Sequence, residues 1–322
     1  MWGSRKGLSR GGRDACASRP AHDLARGRIV LPDVGGAGGG GVAPRGRRPR
    51  EARRVPTARC VHREPSRVPR RPRIGRDERD DLLGLEKGRR VLRAYAPPFP
   101  PEHRLLLVTP AITTSYGRRD EKMYRRIGEE LARLAAAVPG NVAAFFPSYD
   151  LLERVLAGVR WSSVPKEVLV ERRTWGKAER DLALRWLGEH QATGGLLVGV
   201  LGGGLSEGVD YRDNLLRAVC IVGLPLSPPT LEVAALKEYY AQKFGGEKGY
   251  EYAVVYPALN KVLQAAGRPI RGETDRAVIV LMDGRYLDAR YAAAMPSDFH
   301  YRATGDLARE AIAFFGSAAA AT

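Results

Sequence analysis

Two short segments of this sequence carry polar groups at spacings that chemistry can use. The first is GGGLSEGVDY, Gly202 to Tyr211, which follows the apolar run Gly195 to Leu201. Its glycines permit tight turns and close approach of a ligand to the backbone, and Ser206, Glu207 and Asp210 place a hydroxyl and two carboxylates on one loop. Alone, such a loop serves packing as often as phosphate binding. The second is QAAGRPIR, Gln264 to Arg271, ahead of the apolar run Arg276 to Met282. If these residues are helical, Gln264, Arg268 and Arg271 stand at i, i+4 and i+7 and form one polar stripe. Two guanidiniums and an amide aimed the same way suit a phosphate chain, because the planar fork of Arg pairs with oxyanions and keeps its charge. The competing reading is a solvated or ion-paired face, with Glu273 and Asp275 as partners.

Other chemistries find no residues. His22, His62, His103, His190 and His300 are dispersed, with no i, i+4 metal pair on a helix, and there is no nucleophile-elbow serine. Cys16, Cys60 and Cys220 are too few for a disulfide framework or a four-thiolate cluster. Cys220, inside the apolar run Ala218 to Gly223, reads as a buried small hydrophobe. The Gly-interrupted run Leu196 to Leu205 is too short to cross a bilayer. These features lead us to expect a cytoplasmic protein without membrane contact, associated with the nucleoid if the source is prokaryotic.

The elements that must position the two segments are visible in the apolar pattern. Strands are expected at His103 to Thr109, Asn141 to Phe146, Glu167 to Val170, Gly195 to Leu201, Ala218 to Leu224 and Arg276 to Met282. Helical stretches lie between them, at Arg118 to Val138, Tyr149 to Gly158, Lys177 to His190, Pro229 to Phe244 and Tyr252 to Arg268. Short apolar strands alternating with amphipathic helices predict an α/β domain with a mostly parallel sheet covered on both faces. In such sheets ligands gather beyond the carboxyl ends of the strands. The aromatic residues Tyr239, Tyr240 and Tyr250 to Tyr256 have the helical spacing of core packing.

Charge separates the ends of the chain. Residues 1–75 hold 19 Lys and Arg against 5 Asp and Glu, which is +14 of the chain's +17. The basic balance therefore belongs to the N-terminal quarter, which is rich in Arg, Gly and Pro and shows no helical or strand period. Three readings of it stand open: a disordered basic tail that binds nucleic acid, a targeting peptide, or a stretch translated in the wrong frame or from a wrong start. The expected organisation is a disordered segment over 1–80, an α/β domain over 81–303, and a C-terminal helix and tail over 304–322.

FFPSY (Phe145 to Tyr149), SEGVDY (Ser206 to Tyr211), GLP (Gly223 to Pro225) and QAAGRPIR follow one another in the order of motifs IV, V and VI of the XPD/DinG-type superfamily 2 DNA helicases, which this sequence resembles from about Leu82 to Arg302. AYAPPFPPEH (Ala94 to His103) and the segment Tyr116 to Arg119 resemble the lead-in to that family's second RecA-like lobe. The resemblance implies a single RecA-like lobe of an ATP-dependent helicase with 5′ to 3′ polarity. It implies that Arg268 and Arg271 reach across an interlobe cleft to the γ-phosphate as the catalytic arginines. Gln264 and Gly267, together with Asp210 and Gly208, would lie at the nucleotide. Ser206, Glu207, Ser148 and Tyr149 would lie along single-stranded DNA. Phe145 and Phe146 are expected in the core.

The departures are as informative. No G-x-x-x-x-G-K-[ST] and no DEAH-like box occur in these 322 residues, and the family's four-cysteine iron-sulfur cluster has no counterpart. ATP and Mg²⁺ would therefore be shared with a first lobe missing from these 322 residues, through a split gene, a frameshift or incomplete sequence or because it is separately encoded, and this chain alone is expected to be inactive. Pro269 would kink a helix continuing through Ala265, which leaves Arg268 as the arginine to expect on the stripe. The alternative function is a non-catalytic nucleic-acid-binding protein that uses its basic tail.

Overall fold

The computed structural model describes residues 29–30, 99–161, 164–296 and 298–319. The expected disordered segment lies outside the described residues, except for the two-residue strand β1, Ile29–Val30, which no periodicity announced. The other strands are β2 (Arg104–Val108), β3 (Val142–Phe146), β4 (Glu167–Val170), β5 (Gly195–Val200), β6 (Ala218–Val222), β7 (Ala277–Met282) and β8 (Arg302–Ala303). They form one sheet in the order β1-β4-β5-β3-β6-β7-β2-β8, with every adjacent pair parallel. All six strands expected from the sequence are present, because a strand covered on both faces needs apolar residues at nearly every position.

Alternate residues of these strands feed two separate cores. In β3, Ala144 and Phe146 join one layer while Ala143 and Phe145 join the other, and both phenylalanines are fully buried. The first layer packs beneath α1 (Glu121–Ala137) and α2 (Tyr149–Ala157), and takes Leu307 and Ala311 from the C-terminal helix Leu307–Ala319. The second packs beneath α3 (Lys177–Glu189), the single turn α4 (Gly204–Glu207) and α6 (Tyr256–Ala266). Between α4 and α6 lies α5 (Leu231–Phe244), which has no buried residue. It is held by an aromatic cluster in which Tyr252 stacks on Phe244, with ring centroids 4.8 Å apart, and meets Tyr240 at 5.4 Å. Tyr239, expected in the core, is instead 52% exposed and meets the cluster only at its rim, edge-on to Tyr240 with ring centroids 5.3 Å apart.

Helix starts follow side-chain caps: Asp120 accepts from the Met123 amide at 2.7 Å and Ser148 from the Leu151 amide at 3.3 Å. The last expected helix differs at both ends. A π-helical stretch, Glu251–Val255, leads into α6 at Pro257, which has no N–H to return to the preceding turn. At the other end α6 stops at Ala266 with Gly267 as its cap. Arg268 and Arg271 have therefore left the helix, and the i, i+4, i+7 stripe with Gln264 does not form.

Asn141, fully buried, ties the amino ends of the sheet together. Its Nδ2 donates to the carbonyls of Leu187 (2.7 Å) and Leu215 (3.0 Å), and its Oδ1 accepts from the Gly195 amide (2.7 Å). On the carboxyl side, fully buried Asp283 follows β7 and takes hydrogen bonds from the amide and hydroxyl of Thr114 at 2.8 and 3.0 Å. Arg285 closes the same carboxylate from two nitrogens, at 3.0 and 2.7 Å.

Candidate nucleotide and nucleic-acid site

The segment from Gly202 to Tyr211 leaves β5, makes the turn α4, and descends toward the start of β6. Four residues cannot sustain a helix unaided. The backbone groups of α4 are satisfied from outside. At its amino end, the carboxylate of Glu171, just past β4 and only 4% exposed, accepts from the Val200 amide at 2.9 Å and from the Leu205 amide. A Cβ on Gly203 would lie 3.0 Å from that carboxylate, and one on Gly199 2.5 Å, so the glycines give Glu171 its room. Burial raises the Glu171 pKa, against the opposing pull of those two amides and the charge of Arg180.

At the carboxyl end of α4, the Tyr211 hydroxyl donates to the Leu205 carbonyl at 2.9 Å. Arg268 supplies the rest. Its Nε donates to Ser206 O at 2.8 Å, one terminal nitrogen to Val209 O at 2.7 Å, and the other to Glu207 O. Burial, followed by the neighbouring Arg271 charge, lowers the Arg268 pKa. An anionic group at the start of the turn and a cationic one at its end complement the backbone dipole.

Arg271 is placed differently. Its side chain is more than a third exposed, and Nε lies 3.3 Å from Asp210 Oδ1, while Arg212 Nε holds Oδ2 of the same carboxylate at 2.7 Å. Asp210 is accordingly pulled below the usual carboxylate range, first by the Arg212 hydrogen bond and then by the charges of Arg212, Arg271 and Arg268. Buried Asp275 accepts from the amides of Arg271 (2.8 Å) and Gly272 (2.7 Å) and fixes the turn after Pro269. Of the two ion-pair partners expected for the arginines, Glu273 and Asp275, Asp275 thus holds backbone, and the Arg271 side chain pairs instead with Asp210.

These residues line an open cleft of about 690 Å³ with Asp213, Asn214 and Thr274. The chain leads from here into β6 and β7, so the cleft lies where those strands begin, away from the carboxyl ends at which ligands of such sheets were expected. The reason is the direction of α6, which runs antiparallel to the strands and delivers Arg268 to Asp275 to their amino ends.

The site residues expected from the sequence thus fall in two places. Asp210 and Arg271 meet at the cleft, while Gln264 and Gly267 are exposed at the end of α6. Ser148, Tyr149 and Glu207 lie past the carboxyl ends of the paired strands β3 and β5. There the Arg173 guanidinium sits 4.7 Å over the Tyr149 ring. Ser206 is fully buried, and its hydroxyl donates to Gly203 O at 3.0 Å. Gly208 is the exposed link between the two places. Sequence reasoning missed Glu171, Arg173 and the Thr114–Asp283–Arg285 cluster. A charge closing an apolar strand, as in EVLVE and VLMD, was the signal available for the two acids.

A parallel α/β sheet in this strand order, covered by helices on both faces, is the architecture of a RecA-like lobe. Residues 131–302 match the family "Helicase C-terminal domain". The ATP-dependent DNA helicase chl1 of Neosartorya fischeri is 34% identical over 220 residues, which are 57% of this chain and 25% of that protein. The ATP-dependent DNA helicase XPD of Sulfolobus acidocaldarius is 31% identical over 179 residues, covering 54% of this chain and 30% of its own length. A solved XPD helicase shares the fold with a TM-score of 0.55 at 22% identity, over 71% of this chain and 41% of that one. The chain belongs to the helicase C-terminal domain family, of the XPD type within superfamily 2. It spans roughly a quarter to a third of the length of these curated relatives. Among the described residues no helix is long and apolar enough to cross a membrane.

Proposed function

We propose that this chain is the second motor lobe of an ATP-dependent DNA helicase, presenting Arg271 to a nucleotide held on a first lobe while its carboxyl edge holds single-stranded DNA. The observation that carries this reading is the division of labour between the two arginines. Arg268 has committed donors on all three of its nitrogens to its own loop, whereas Arg271 is held by one exchangeable carboxylate at the mouth of an open cleft. An incoming phosphate oxyanion competes with Asp210 for that fork, and Arg212 adds a second cation beside it. Arg268 then acts through the loop it holds, and Gln264 and Gly267 border the same nucleotide.

Bound ATP with Mg²⁺ would supply the phosphoryl group and its charge neutralisation. Among the described residues no cluster of His, Cys, Asp or Glu is arranged to hold a metal. We assign the Mg²⁺ ligands and the phosphate cradle to the first lobe, and the chain alone is inactive in this reading. The test is to combine it with a separately produced first lobe bearing the phosphate-binding loop, and to measure phosphate release stimulated by single-stranded DNA. The mixture is expected to turn over ATP and each component alone is not. Arg271→Ala should remove the activity of the mixture; retention of full activity by that variant would refute the assignment.

A further inference from the structure

At the carboxyl edge one large aromatic side chain stands unpartnered. Tyr116, in the loop after β2, is 89% exposed, and among the described residues no ring or cation contacts it. A single exposed aromatic needs no explanation by itself. What distinguishes Tyr116 is the fixity of its base. Thr114, two residues before it, is locked by the buried Asp283 carboxylate and by Arg285, which reaches the Thr114 hydroxyl at 2.9 Å. Arg119, three residues after it, folds back to donate to Thr114 O at 2.6 Å, and the Arg118 amide closes the turn on Ser115 O at 2.9 Å. The ring is therefore exposed on a rigid support.

The support also has a direction. Gly284, past β7, donates its amide to Ile112 O at 2.7 Å, and Gly223, past β6 with a φ of +74°, lies so close to Thr114 that a Cβ would come within 2.3 Å of its hydroxyl. The loop thus crosses the ends of β7 and β6 toward β3, the strand that delivers Ser148 and Tyr149. Along the sheet order this edge runs from Arg173 and Tyr149 on one side to Tyr116 and Arg118 on the other, an aromatic and a cation at each end. With strands about 4.8 Å apart, β3 and β2 are separated by roughly 14 Å. The Tyr149 face is already covered by Arg173; the Tyr116 face is open.

We infer that Tyr116 is a base-stacking residue for single-stranded nucleic acid lying across the carboxyl edge, an inference that rests on the proposed placement of DNA there. Alternating basic groups and an open aromatic face are what a single strand uses without sequence preference, through its phosphates and the π-face that every base carries. The nucleotide cleft lies at the other end of the strands, so a free nucleotide is not the occupant.

The test uses the full chain at a salt concentration high enough to suppress contacts from the basic N-terminal residues. Tyr116→Trp adds a fluorophore at the site, and its emission above the wild-type background should be quenched by an oligothymidine single strand and left unchanged by ATP. In titrations with the same oligonucleotide, Tyr116→Ala should weaken binding on the order of 5- to 100-fold, and Tyr116→Phe should bind like wild type. Because the ring is exposed, none of these substitutions threatens folding. If Tyr116→Ala binds as tightly as wild type while Arg173→Ala binds weakly, the inference fails and the DNA edge stands. If both bind like wild type, or if the chain binds no oligonucleotide, the edge reading falls with it. Quenching by ATP instead of the oligonucleotide would overturn the inference outright.

Discussion

Replacing Arg268 by alanine separates a brace from a free arginine. The guanidinium holds three backbone carbonyls, those of Ser206, Glu207 and Val209. A charged donor to a carbonyl contributes about 1.5–3 kcal/mol. Arg268 is only partly buried and Glu207 is exposed, so water replaces part of what is lost and screens the rest. The set should amount to roughly 2–4 kcal/mol, and with about 2–4 °C per kcal/mol for a domain of this size Tm should fall by roughly 5–15 °C. Arg271→Ala breaks an exposed ion pair worth about 0–1 kcal/mol, so its Tm should stay within about 3 °C of wild type. Hydrogen exchange localises the effect. The amides of Glu207 and Gly208, which close on Gly203 O at 3.1 Å and Gly204 O at 2.9 Å, should lose protection in Arg268→Ala and keep it in Arg271→Ala. Arg268→Lys should fall between, since one ammonium cannot span three carbonyls in a plane. If the two alanine variants melt together, or if the loop amides of Arg268→Ala exchange like wild type, Arg268 is not what holds α4.

Two further outcomes test the packing around the site. Asn141→Leu preserves the branching of the side chain but leaves the Leu187 and Leu215 carbonyls and the Gly195 amide without their partner, and should cost about 3–5 kcal/mol in urea unfolding. At Asp283, burial alone would raise the pKa, but the Arg285 hydrogen bonds and charge and the Thr114 and Arg285 amides outweigh it and leave the carboxyl below its ordinary value. Because the folded value is the lower one, its contribution is complete above the unfolded pKa of about 4 and is lost as pH falls through the folded value. Urea midpoints taken downward from neutral pH should therefore drop in that acid range. Asp283→Asn should start about 3–5 kcal/mol lower, with Arg285 left unpaired, and show less of that drop.

The strands were legible because burial on both faces compels unbroken apolar runs, as in VAAFF at β3 and AVIVLM at β7. The start of α2 at Tyr149 was legible, whereas the helix expected from Arg118 begins only at Glu121, after the Asp120 cap. The end of α6 was not, since the helical spacing of Gln264 and Arg268 outweighed Gly267, which caps the helix at a φ of −81° that any residue adopts. The loop glycines were visible, but their purpose depends on Glu171, which lies about thirty residues earlier, and on Arg268, 62 residues beyond Ser206. No local pattern reports contacts at such separations. A cleft at the amino ends was not foreseen for a related reason. The rule that ligands gather at carboxyl ends describes strands that feed a loop directly into a helix, while the residues here arrive on the return of α6.

The two sites share one short piece of backbone. Glu207 lies beside Gly202 at the exit of β5, its Oε1 3.8 Å from where a Cβ of Gly202 would be, and Asp210, three residues on, holds Arg271 in the cleft. Between them α4 is too short to keep its shape by its own hydrogen bonds, so its geometry is set by Glu171, Tyr211 and Arg268 from outside. In the proposed function, an anion that draws Arg271 away from Asp210 releases one end of this piece while Glu171 and Arg268 keep the rest in register.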